Sequence, residues 1–297
     1  MLKTLYCVLA LVALLALFAT FSSAWKTGKI LANGLSFAYV DEGSGPPIVL
    51  VHGSVSDYRE WSNQIEPLAR HYRVIAYSRR YHWPNLSPGK DADASLERQA
   101  DDLAAIIQGM GIAPAHIVGH SYGGAVALNL TLRYPELVRT LVLAEPAVSG
   151  VLGDTPENEA VSKESQAIRA EMKEAFARGD AGRIVRTYAA HVAPGEFDKA
   201  PPEVRQMLVA NVPAFQLDFT SRRSAFTCDD ARRVAVPVLV VSGDRSPMGL
   251  QHIAEAAAHC MKAARLVRIP RATHWMQSDH AQAFNDAVLA FLARPGR

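Results

Sequence analysis

The run Gly119-His120-Ser121-Tyr122-Gly123 places a hydroxyl at the centre of a Gly-x-Ser-x-Gly spacing. An alcohol is a weak nucleophile until a base takes its proton, and histidine is the side chain that titrates in the right range. The chemistry on offer is acyl transfer through Ser121, assisted by a histidine. The glycines matter because a turn sharp enough to lift a serine clear of a sheet strains its backbone and leaves no room for flanking side chains. The context agrees: the apolar Ile117-Val118 precedes the motif as a strand, and Ala125-Val126-Ala127-Leu128-Asn129-Leu130 follows as part of a helix over 123–134. A helix starting there aims its unpaired N–H groups and the positive end of its dipole at any oxyanion formed on the serine.

The elements that must hold this turn are also readable. Apolar runs at 35–40, 48–51, 74–77, 141–144, 238–242 and 266–269 read as further strands. The continuous run Ile48–Val51 suits a strand buried on both faces. Helical spacing covers 58–70, 96–110 (Leu96, Leu103, Ile106, Ile107 and Met110, stopped by Gly111), 250–261 and 282–293. This alternation predicts an α/β fold, a mostly parallel central sheet with helices on both faces. The rhythm breaks over 146–234, where no strand is evident, helices are expected at 160–178 and 203–210, and irregular pieces near Pro194, Pro201 and Pro213. The stretch reads as a helical cap inserted over the carboxyl ends of the strands, where open α/β sheets bind ligands. Met207, Leu208, Val212, Phe215, Leu217 and Phe219 would give it a packing face. The core is then 25–145 with 235–297.

A hydrophobic content of 49% suits a chain with a substantial core, and a net charge of +2 offers no field for nucleic acid. No zinc-type Cys/His spacing and no Gly-rich phosphate loop occurs, so no metal, nucleotide or flavin cofactor is expected, and the expected partner is a small-molecule substrate. Residues 1–24 stand apart: Lys3, an apolar run over 5–21, then Ser22-Ser23-Ala24. A basic start, apolar middle and small-residue end describe a signal peptide cleaved after Ala24, hence export to a periplasm or medium. The alternative is an uncleaved membrane anchor at 5–21, near the ~17-residue lower limit for a spanning helix. Beyond this segment only Cys228 and Cys260 remain, and whether they pair is open.

Three matches in chain order give the sequence a family resemblance: His52-Gly53-Ser54 after the strand at 48–51, Ser121 after the strand at 117, and His274 in Ala272-Thr273-His274-Trp275 after the last strand. Together they resemble the α/β-hydrolase fold family over nearly all of the chain beyond residue 24. The resemblance implies that Ser121 is the nucleophile and His274 its base. It also implies an oxyanion hole built from the backbone N–H groups of Ser54 and Tyr122. His52 reads as a structural residue of its loop, and His120 as a side chain turned away from the base. The sequence departs from the family at the third catalytic position. Relatives place an acid in a Gly-x-x-Asp pattern, whereas Ser242-Gly243-Asp244-Arg245-Ser246 puts Ser246 there. Serine cannot stabilise an imidazolium as a carboxylate does. Glu145, directly after the strand at 141–144, is the expected substitute because a strand end is rigid and aims at the site; Asp244 is the alternative.

A serine nucleophile separates this chain from haloalkane dehalogenases and epoxide hydrolases, whose resemblance would require aspartate at position 121. The expected reaction is hydrolysis of a small carboxylic ester or lactone through an acyl-enzyme, with Tyr58, Trp61, Tyr122 and Phe215 as candidate substrate lining. A carbon–carbon bond hydrolase or a cofactor-free perhydrolase with the same triad is the alternative enzyme. The substituted acid position also keeps a non-catalytic, ligand-binding relative in view.

Overall fold

The computed structural model describes residues 25–89, 92–221 and 225–294. The segment read as a signal peptide or anchor lies outside them. Among the described residues no helix is long and apolar enough to cross a membrane.

Two short strands open the fold, β1 (Thr27–Ala32) and β2 (Leu35–Gly43), followed by β3 (Pro47–Val51), a 3-10 turn at Tyr58–Trp61, α1 (Ser62–Ala69), β4 (Arg73–Tyr77) and α2 (Leu96–Gly109). Next come β5 (Ala115–His120), α3 (Tyr122–Arg133) and β6 (Val138–Ala144). The sheet runs in the order β1-β2-β4-β3-β5-β6, completed by β7 (Val238–Gly243) and β8 (Ala264–Ile269). Pairs β1/β2 and β2/β4 are antiparallel, and every later pair is parallel. The interior strands are apolar on both faces because helices cover both. Leu103, Ile107 and Val126 pack one face together with Ile253 of the helix at Met248–Cys260. Ile65 and Leu68 pack the other with Phe284 and Val288 from Ala281–Leu292. The parallel sheet with helices on both sides is as the alternation implied. Strand β1 has no counterpart in the sequence reading, since it is a short edge strand whose alternate positions, Thr27, Lys29 and Leu31, are exposed.

Between β6 and β7 the chain leaves the sheet as α4 (Pro156–Arg178), α5 (Ala181–Val192), α6 (Glu196–Lys199), α7 (Pro202–Ala210), α8 (Val212–Thr220) and α9 (Cys228–Arg232). Helices α4 and α7 fall where helical spacing put them. Helix α8 replaces the irregular piece expected at Pro213, because proline is tolerated in a helix's first turn, where its missing N–H costs nothing. Helix α5, which has no counterpart in the sequence reading, is started by Asp180, whose side chain accepts from Arg183 N–H. Met172, Phe176, Val185, Leu208 and Phe215 give the insertion its own core, and Val55 from the loop after β3 joins it. The remaining helices are α10 (Met248–Cys260), α11 (Met276–Asp279) and α12 (Ala281–Leu292). Cys228 of α9 and Cys260 of α10 form a disulfide with their Cα atoms 5.3 Å apart.

Polar contacts fasten the insertion over the carboxyl ends of β3 and β4. Asn211 Nδ2 donates to Asp57 Oδ2 at 2.7 Å, and Trp83 N–H donates to Asn211 Oδ1 at 2.8 Å. Asp218 of α8 descends to the guanidinium of Arg79 at 2.9 Å, with both side chains buried.

Candidate active site

Strand β5 ends at His120, and Ser121 turns the chain into α3 with φ 51° and ψ −117°. This is a sparsely allowed conformation for any residue with a side chain. The neighbouring backbone explains the glycines. A Cβ on Gly119 would lie 2.7 Å from Gly123 O, and one on Gly123 only 2.2 Å from Val51 O. The start of α3 therefore lies directly against the end of β3, which leads into His52-Gly53-Ser54. Ser121 is held by its own peptide groups: its N–H donates to Ala144 O at 2.9 Å, and its carbonyl accepts from Ala147 N–H at 3.0 Å.

Glu145 follows β6 with φ 41°, a second non-glycine residue in the left-handed region, and it is 1% exposed. Its Oε2 meets His274 Nδ1 at 2.7 Å. Its Oε1 accepts from Ser242 Oγ at 2.8 Å and from Gly243 N–H at 2.9 Å. Burial works to raise the Glu145 pKa, but the bond to His274 and that imidazole's charge outweigh it, and the carboxyl sits below its ordinary value. Asp244 is elsewhere: its Oδ1 accepts the Arg271 N–H and does not reach His274. Ser246, at the family's usual acid position, is buried.

His274 is 1% exposed. With Nδ1 on Glu145, its Nε2 is buried and has no hydrogen-bond partner among the described residues. No direct bond joins Ser121 Oγ to it, as is common before substrate tightens a site. Burial and then the nearby charge of His120 lower the His274 pKa, against the opposing pull of Glu145. His120 corrects an expectation. Its ring does not turn away but lies 4.6 Å from the His274 ring, centroid to centroid. His120 at the end of β5 and His274 in the loop after β8 share one crowded layer, and His120 finds its partners there. Its Nε2 meets His274 O at 2.9 Å and its Nδ1 meets Glu60 Oε1 at 3.0 Å. Burial opposes its protonation, but Glu60 outweighs burial and the His120 pKa is raised.

His52 holds its loop as expected. Its Nε2 accepts from Arg79 N–H at 2.9 Å, so the proton sits on Nδ1, 2.8 Å from Gly53 O. Burial, then Arg79 and His82, push its pKa well down.

The aromatic lining proposed from sequence is not brought together. Trp61 is fully buried in the sheet core beside Phe284, and Tyr58 packs near Trp83. Phe215 is buried among Phe176 and Tyr188 inside the insertion. Each packs its ring against neighbours of its own layer. The Tyr122 ring lies under the Arg79 guanidinium, 4.8 Å from centroid to Cζ. A cleft of about 300 Å³ opens instead at the seam between insertion and core, walled by Trp25, Ser56, Glu60, Met207, Leu208 and Trp275, among others. Trp275 adjoins His274, and Ser56 stands two residues beyond Ser54.

Residues 46–281 match the family model of the alpha/beta hydrolase fold. The chain belongs to that family. A 2-hydroxy-6-oxo-6-(2'-aminophenyl)hexa-2,4-dienoic acid hydrolase from Metapseudomonas resinovorans is 28% identical over 287 residues, 92% of each chain. A non-heme haloperoxidase from Rhodococcus erythropolis is 26% identical, covering 88% of this chain and 97% of that one. Among solved structures, a thermophilic esterase from Thermogutta terrifontis superposes with a TM-score of 0.74 at 26% identity, covering 92% of this chain and all of that one. This α/β-hydrolase carries its elbow, its buried histidine and its histidine-bound carboxylate at the carboxyl edge of the sheet. Sequence reasoning missed Arg79, Glu60 and Asp218, which surround this centre. The signal for Asp218 was present: an acid three and four residues after Phe215 and Ala214, on the helix face that both bury, needs a buried partner.

Proposed function

We propose that this α/β-hydrolase cleaves small, neutral carboxylic esters or lactones through a serine acyl-enzyme. One observation carries the reading: a buried imidazole with Nδ1 fixed on Glu145 at 2.7 Å and an unpartnered Nε2, the carboxylate following directly on Ala144, whose carbonyl holds the N–H of the strained Ser121. In this reading His274 Nε2 takes the proton as Ser121 Oγ attacks the acyl carbon. The N–H groups of Ser54 and Tyr122 receive the oxyanion. The leaving alcohol departs with the proton from His274, and water repeats the sequence to release the acid. Glu145 stays ionised and stabilises the imidazolium; it is not a proton relay. Its contact with His274 removes the main reason for a binding-only reading, which was the serine at the family's acid position.

The seam cleft is the proposed approach for substrate, with 146–234 acting as a cap. Its character favours a neutral ligand. Arg59 is held by Asp57 in two bonds of 2.8 and 2.7 Å, Glu60 is held by His120, and Glu203 adds a carboxylate at the wall. A substrate acid of the kind named for the Metapseudomonas relative would meet no free cation among the described residues that line the cleft. We also propose export, which the charge and hydropathy pattern of residues 1–24 and the Cys228–Cys260 disulfide support.

The test is a fluorophosphonate label followed by mass spectrometry, together with turnover of p-nitrophenyl esters of rising chain length and of simple lactones. Label on Ser121 and ester turnover, both lost in Ser121→Ala, are the expected results. A folded wild-type protein that neither labels nor turns over esters would remove the hydrolase reading.

A further inference from the structure

Ser54 N–H can serve an oxyanion only if its peptide is turned the right way. That N–H and Gly53 O belong to one trans peptide, so they point in opposite directions. Whatever fixes the carbonyl aims the amide. Gly53 O accepts two hydrogen bonds, from Arg79 Nη2 at 2.8 Å and from His52 Nδ1 at 2.8 Å. The preceding carbonyl, His52 O, accepts from Arg79 Nε at 3.0 Å. One guanidinium thus holds two successive carbonyls of the loop, a geometry that a planar fork provides and an ammonium does not. The same guanidinium lies over the ring of Tyr122, whose own N–H is the other proposed donor.

Arg79 is itself set from the cap. Its Nη2 also donates to Asp218 Oδ2 at 2.9 Å, and Nη1 donates to Gln99 Oε1. Gln99 Nε2 returns to Asp218 Oδ1 at 2.9 Å, and His82 Nε2 stands 3.3 Å from Asp218 Oδ2. The Arg79 side chain is fully buried, and each of its guanidinium nitrogens is already taken up by a protein partner. Without Asp218 it would be an uncompensated charge under the cap.

We infer that Arg79 is a positioning residue that orients the Gly53–Ser54 peptide for the oxyanion, and that Asp218 makes this orientation depend on the docked cap. The inference rests on the serine-hydrolase reading for its catalytic meaning, while the peptide orientation is independent of it. Cap and catalytic loop then form one electrostatic unit: a chain whose α8 is undocked has a nucleophile and a base but a misaligned amide.

The experiment compares Arg79→Lys, Asp218→Asn and the double variant with wild type and Ser121→Ala. Thermal melting establishes folding, p-nitrophenyl butyrate gives kcat and KM, and crystal structures give the peptide orientation. Arg79→Lys is expected to lose roughly 10²-fold in kcat, the scale of one oxyanion donor, with KM nearly unchanged. Asp218→Asn is expected to lose about 10-fold, and the double variant to lose no more kcat than Arg79→Lys alone, because both act through one contact. The Gly53–Ser54 peptide should be rotated or doubly populated in the variants. Should Arg79→Lys fail to fold, Asp218→Asn decides alone. Cooperatively melting variants with wild-type kcat and an unmoved peptide overturn the inference. If Ser121→Ala keeps wild-type turnover, the hydrolase reading falls, and the peptide orientation in the Asp218→Asn crystal still decides this one.

Discussion

Glu145 and His274, separated by 129 positions in the chain, meet at 2.7 Å in a pocket where neither is more than 1% exposed. The carboxylate directly follows β6, next to strand β5 that leads into Ser121, so two catalytic candidates stand just beyond the ends of neighbouring parallel strands. Replacing Glu145 with Gln keeps the shape but not the charge. The expected outcome is a fall in kcat of roughly 10⁴-fold on an ester substrate. Asp244→Asn should stay within about threefold of wild type, because Asp244 is engaged with Arg271 N–H. Similar losses in the two variants would remove the assignment.

Ser121→Ala and His274→Gln are expected to cost about as much singly as together, roughly 10⁶-fold in kcat, as for groups that act as a unit. Steady-state kinetics on the two single variants and the double variant will show this. Additive losses would mean that the two side chains do not share a step.

The pH profile follows from the neighbours of His274. Its pKa lies below 6.5, so the imidazole stays unprotonated, and competent as a base, into mildly acidic solution. The acid limb of kcat/KM should therefore lie below pH 6.5. His120→Gln removes a positive neighbour and leaves Glu145 and Glu60 facing the ring. Protonation of His274 becomes easier, and the limb moves to higher pH. A limb that stays in place would mean that His120 carries no charge beside the base.

Asp218 gives the contact between insertion and core its own acid signature. Burial alone would raise its pKa, but Arg79 and His82 hold it at about 2 instead of 3.8. The stabilisation is complete above about pH 4 and is lost as the pH falls toward 2. Its size is about 2 kcal/mol, at 1.36 kcal/mol per tenfold change in proton affinity. Urea unfolding between pH 4.5 and 2 should show a steeper loss for wild type than for Asp218→Asn. Parallel curves would contradict the contact.

The sheet and the elbow were legible because their signals are local. Four- to six-residue apolar runs, a helical spacing and two glycines around a serine need no knowledge of distant partners. Glu145 was legible for the same reason, as an acid directly after a strand. Trp61, Tyr58 and Phe215 misled because an aromatic residue reads the same whether it lines a cleft or fills a layer. Arg79, Glu60 and His120 were opaque for the opposite reason. Their roles rest on hydrogen bonds to carbonyl and carboxylate oxygens as much as 154 positions away, as between His120 and His274, and no spacing encodes those. Edge strand β1 escaped because half its side chains face water.

The covalent bond between Cys228 and Cys260 closes a span of 32 positions that contains all of β7, the strand whose end grips Glu145. Loop-closure entropy assigns such a link about 3–4 kcal/mol. Material made in a reducing bacterial cytosol would lack it, whereas material directed to an oxidising compartment would carry it. The choice of expression host therefore sets how firmly the carboxylate's platform is held, and assays on the two preparations will differ in the fraction of titratable active sites.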